Sequence, residues 1–105
     1  MDGVHEEIVE LLRLPESGSD APSLSRLENT LTEGYAEALA LEAERLRLER
    51  RLGEVAREAD SADADGVAAE IAEISERITS ADGRLAQLRA LLGSLRERAR
   101  AARTA

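Results

Sequence analysis

The chain has 105 residues, 14 basic against 22 acidic side chains, and a formal charge of −8 at pH 7 with its one His neutral. That length holds one domain, and the acidic balance disfavours duplex nucleic acid or an anionic membrane as a ligand. No cysteine is present, which excludes disulfides, thiolate chemistry and Cys-ligated metals.

Hydrophobic residues make up 43% of the chain, yet Phe and Trp are absent and Tyr35 is the one aromatic residue. Leu, Ile and Ala without aromatic bulk suit a thin seam between helices better than a spherical core. No run approaches the 18 or so apolar residues of a membrane span. The N-terminus also lacks a basic region followed by an apolar stretch, so the expectation is a cytoplasmic protein.

Residues 3–14 place Val4, Ile8, Leu11 and Leu12 on one stripe, which predicts a short amphipathic helix. A helix of that length is marginal by itself. The expectation is that it docks onto something or is disordered; as an arm it could bind a client or cover the protein's own apolar surface. Pro15 stops it, and residues 15–23 read as a flexible linker. Residues 1–22 therefore form one segment and residues 23–105 another.

The second segment predicts a helix over about 24–59. Ser25 and Glu28 have capping-box spacing at its start. Leu24, Leu27, Leu31, Gly34, Ala38, Leu41, Arg45, Leu48, Leu52, Val55 and Ala59 follow alternating steps of three and four, a heptad seam with two blemishes, Gly34 and Arg45. An Asp-rich turn at about 60–65 follows, where Asp63 or Asp65 can accept the first N–H groups of the next helix. A helix over about 66–102 then carries Val67, Ile71, Ile74, Ile78, Ala81, Leu85, Leu88, Leu92, Leu95, Ala99 and Ala102 in unbroken alternation.

Folding these seams back about the turn pairs equal lengths. The fold class is therefore all-α: an antiparallel two-helix coiled-coil hairpin with a short N-terminal helix. Gly34 is expected against Leu92, Ala38 against Leu88 and Arg45 against Ala81, small beside large. Arg45 either sets the register or reaches past Ala81 to solvent and Asp82. Among flanking charges, Glu28 with Arg96 and Glu44 with Arg84 look favourable, whereas Arg51 beside Arg77 and Glu58 beside Glu70 look repulsive.

Leu39 and Leu46 lie a heptad apart off the seam, with Tyr35 and Ala43 nearby and Leu91 on the other helix. This is the candidate dimer or partner face, and its burial between two copies predicts a four-helix bundle. The competing monomer folds Ile8, Leu11 and Leu12 back over the same stripe.

Site chemistry is sparse. Ser61-x-Asp63-x-Asp65-Gly66 brushes the calcium-loop pattern, but Ser61 and Ala72 stand where an acid and a bidentate Glu are needed. His5 has no partner set for a metal, and no phosphate loop or nucleophile elbow occurs. The prediction is a non-enzymatic, homo-oligomeric helical scaffold that binds an unidentified protein and needs no cofactor or metal. One alternative is a regulatory or chaperone-like module using the N-terminal arm. Another is weak nucleic-acid binding by the arginine run at 96–103, which interleaves no aromatic residue for stacking. Heptads alone identify no family.

Overall fold

The computed structural model describes residues 3–60 and 63–104. It is an all-α structure of three helices, α1 (Gly3–Arg13), α2 (Leu24–Arg57) and α3 (Ala64–Thr104). The two longer helices are closely packed.

Local chemistry sets the helix ends. Ser23, not Ser25, caps α2: its Oγ accepts the Arg26 N–H at 3.1 Å, and its carbonyl accepts the Leu27 N–H at 3.1 Å. Ser25 already lies inside the helix, so its hydroxyl is past the position where a cap satisfies an orphan N–H. Asp63 caps α3, its Oδ2 accepting the Gly66 N–H at 3.0 Å and its carbonyl the Val67 N–H at 2.9 Å. This cap starts α3 at Ala64, two residues before the expected position. At the other end of α2, Ala59 is exposed in a turn, where it adds nothing to the seam.

The chain divides into two compact units, residues 1–39 with 86–105, and residues 40–85. In the first, α1 joins the first half of α2 and the last part of α3. Its core consists of Ile8 and Leu11 from α1, Leu27, Leu31 and Ala38 from α2, and Leu88, Leu92, Leu95 and Ala99 from α3. The α2 and α3 segments run antiparallel here, with Gly34 against Leu92 as the seam predicts. A Cβ built on Gly34 would lie 2.4 Å from Leu92 Cδ2 and 3.4 Å from Ile8 Cδ1. Glycine at this position lets the leucine sit directly on the helix backbone.

Charged side chains in this unit pair differently from expectation. Glu28 accepts from Arg103 at 2.9 Å, while Arg96 donates to the Tyr35 hydroxyl at 3.2 Å. Each of these arginines lies five positions beyond the layer that faces its partner in the Gly34–Leu92 register, within reach of a long stem, so the seam register does not dictate flanking partners.

The second unit contains only α2 and α3. Leu41, Val55, Ile74, Ala81 and Leu85 are buried, but Leu48, Leu52, Ile71 and Ile78 are only half-buried. Two helices thus bury part of this seam and leave the rest partly open to water. Arg51 donates to Glu70, at 2.7 Å from Nη2, and to Glu54 at 3.3 Å. It therefore finds acids rather than the expected repulsion from Arg77. Those two hydrogen bonds, Glu70 first, raise the Arg51 pKa above its ordinary value.

Candidate interaction surfaces

Three features concentrate the polar and apolar groups that do more than fill the seam. They are the α1 docking groove, the exposed stripe of α2, and Arg45.

The groove belongs wholly to the first unit. Within α1, Val4, Ile8 and Leu11 fall four and three residues apart, which puts them on one face. Ile8 and Leu11 are 0% exposed, while Val4 and Leu12 are half-buried. Thr30 lies off the heptad seam and is nevertheless 1% exposed. Its hydroxyl donates to Glu7 Oε1 at 3.2 Å, so α1 supplies the acceptor that such a buried donor requires. At the C-terminal end of α1 the Arg98 guanidinium donates to three backbone carbonyls. These are Leu12 at 3.2 Å, Leu14 at 2.9 Å and Pro15 at 3.0 Å. A helix end leaves its last carbonyls without intrahelical partners, and a cation there also complements the helix dipole. Arg98 meets both needs from another helix.

Neither Thr30 nor Arg98 stands out in the sequence as a docking residue. Thr30 carries a weak signal, a lone polar residue between Leu27, Leu31 and Gly34. Arg98 carries none, being one arginine in a run of four.

The exposed stripe lies on α2. Leu39 is 66% exposed, Leu46 51% and Tyr35 41%, and Ala43 is exposed while Leu91 on α3 is half-buried. Tyr35 and Leu39 are four residues apart in the first unit and Ala43 and Leu46 three apart in the second, so helical periodicity gives each pair a common face. In the first unit α1 packs on the Thr30 and Gly34 side of α2 and leaves Leu39 in water. The competing arrangement, in which Ile8, Leu11 and Leu12 cover this stripe, is therefore not what the fold does. At Gly34 both Leu92 and Ile8 come close to the α2 backbone, within 2.4 and 3.4 Å of where a Cβ would stand.

Arg45 interrupts the seam of the second unit. Its side chain is 38% exposed and pairs with Asp82 through Nε and with Glu49 through Nη1. The guanidinium lies between the Asp82 and Glu49 carboxylates, partly exposed, as a long side chain that carries its charge out of a seam would. The hydrogen bond to Asp82 is the main cause that raises the Arg45 pKa, followed by the Asp82 and Glu49 charges.

The remaining candidates hold less. Among the described residues no group of three or more His, Cys, Asp or Glu side chains is arranged to hold a metal ion. Ser61, the first position of the calcium-loop pattern, lies outside the described residues. His5 lines a recess with Glu6, Val9, Glu10 and Arg13, all from α1, so no second element closes over it. In the arginine run, Arg96, Arg98 and Arg103 donate to protein acceptors and Arg100 pairs with Glu97 at 3.2 Å. Among the described residues no helix is long and apolar enough to cross a membrane. No protein-family model, curated protein or solved structure matches the chain.

Proposed function

We propose that this small all-helical domain is a non-enzymatic scaffold that self-associates through the α2 face carrying Tyr35, Leu39, Ala43 and Leu46, flanked by Leu91. The observation that carries this reading is the exposure of Leu39 and Leu46, at 66% and 51%. Every other large aliphatic side chain among the described residues is buried or half-buried. Two copies joined on this face would make a four-helix bundle. The bundle would then present helical surface to a further protein.

The energetics permit a weak dimer. Covering the exposed part of each leucine contributes about 1–2 kcal/mol, and two copies bring four leucines. Association costs on the order of 4–15 kcal/mol. The four leucines alone leave at best about −4 kcal/mol, a Kd of roughly 1 mM, so association in the micromolar range requires that Tyr35, Ala43 and Leu91 add buried area on the same face. Sedimentation equilibrium from low to high micromolar protein tests this. A dimer is expected to grow in, and Leu39→Glu with Leu46→Glu is expected to abolish it while preserving helicity. A single species near 11.3 kDa throughout would sink the reading.

Nucleic-acid binding receives less support. The run at 96–103 is committed to Tyr35, Glu28, Glu97 and the α1 carbonyls, and a phosphate would have to displace them.

A further inference from the structure

We propose that the groove under α1 is a helix-binding site, with the chain's own α1 as a removable cover and α1 of a second copy as its exchange partner.

The fit does not depend on the covalent connection. Glu7, Ile8 and the carbonyls of Leu12, Leu14 and Pro15 supply one side. Thr30, Gly34, Leu92 and Arg98 supply the other. Residues 16–20, which lead away from this set, are all exposed. A second copy carries the same α1 and presents the same groups. The cover is also weakly held. It has 11 residues, too few to persist as a free helix in water, and only Ile8 and Leu11 are fully buried. A short element with so few buried contacts opens far more often than the core unfolds. When it opens, Thr30 loses its acceptor and the backbone of Gly34 is uncovered beside Leu92. The empty groove then demands a definite ligand: a helix with aliphatic residues three apart, an acid just before the first, and free C-terminal carbonyls for Arg98. This site is separate from the Leu39–Leu46 face, and exchange requires no association there.

The probe is a fluorescent peptide of residues 3–16, added to the full-length chain. Ile8→Glu in the full chain alters the cover and leaves every groove residue in place. Peptide affinity is expected to rise roughly 10- to 100-fold in this variant, because a site closed most of the time binds with its affinity reduced by its open fraction. Adding Arg98→Ala to the Ile8→Glu chain is expected to weaken the peptide roughly 10-fold, the loss of hydrogen bonds from a charged donor. Unlabelled wild-type chain is expected to displace the peptide, at higher concentration than unlabelled peptide does. Equal affinity for the wild-type and Ile8→Glu chains, or no binding to either, overturns the proposal. So does loss of overall helicity in Ile8→Glu, since α1 would then be integral to folding. Failure of wild-type chain to displace the peptide at 100-fold excess overturns the assignment of a second copy as the partner. Leu39→Glu with Leu46→Glu should change none of these results, so failure here and failure of the dimer are read separately.

Discussion

The two units use the same kind of seam and reach different degrees of burial. In residues 1–39 with 86–105, Leu27, Leu31, Leu88, Leu92 and Leu95 are buried, together with Ile8 and Leu11. In residues 40–85, Leu41, Val55, Ile74 and Leu85 are buried too, but Leu48, Leu52, Ile71 and Ile78 stay half-buried. Both seams are aliphatic at heptad positions, leucine with small residues in the first and leucine, isoleucine and valine with Arg45 in the second, so lack of apolar side chains does not explain the difference. The third helix does. One added helix covers the flank that a pair leaves open, and it brings into the interior a threonine that would otherwise face water. The unit without it instead tolerates a charged residue in its seam, since the Arg45 head still reaches solvent and carboxylates.

This contrast is open to direct measurement. The largest effect is expected from truncating the same side chain in each unit. Leu95→Ala, at a fully buried position, should cost about 2–5 kcal/mol by urea denaturation. Leu52→Ala, half-buried, should cost about 1–2 kcal/mol. Equal losses would remove the proposed difference in packing.

A second pair places a methyl group in each unit. Gly34→Ala drives a Cβ into Leu92, which is itself 3% exposed. Overpacking of about 1–3 kcal/mol should exceed the gain of about 1 kcal/mol in helix propensity. Gly83→Ala meets nothing within 4 Å, so it should stabilise by up to about 1 kcal/mol. Thermal melts that moved in the same direction for both would contradict the close approach at Gly34.

Thr30→Val tests the polar contact that ties α1 down. It keeps the shape and deletes the hydrogen bond to Glu7, an expected loss of about 0.5–1.5 kcal/mol. Faster amide exchange should be confined to α1. Spread of that change through α2 and α3 would show that Thr30 supports the long helices rather than the cover.

Arg45→Ala should have the smallest effect. Both of its ion pairs are exposed, and such pairs contribute little once solvent screens them. Its melting midpoint should stay closer to wild type than that of any other variant named above. A large drop would instead make Arg45 a register residue.

Periodicity alone determined the helices and the seam. Steps of three and four leave one choice of face, and of the positions so assigned only Ala59 is exposed. The pairing of Gly34 with Leu92 was legible for the same reason, since matched lengths about a short turn allow one antiparallel register. Three matters were decided by tertiary structure. Which arginine meets which glutamate depends on long, flexible stems that reach several residues from their own layer. The helix caps depend on which of two nearby serines precedes the first helical turn. The face of α2 that receives α1 depends on a recess at Gly34, a buried hydroxyl at Thr30 and a guanidinium from Arg98. Those three lie as far as 68 positions apart in sequence. A short amphipathic helix announces in its own sequence that it has an apolar face to bury. The surface that will bury it exists only once distant segments have packed, because shape and hydrogen-bond geometry are properties of the assembled groove.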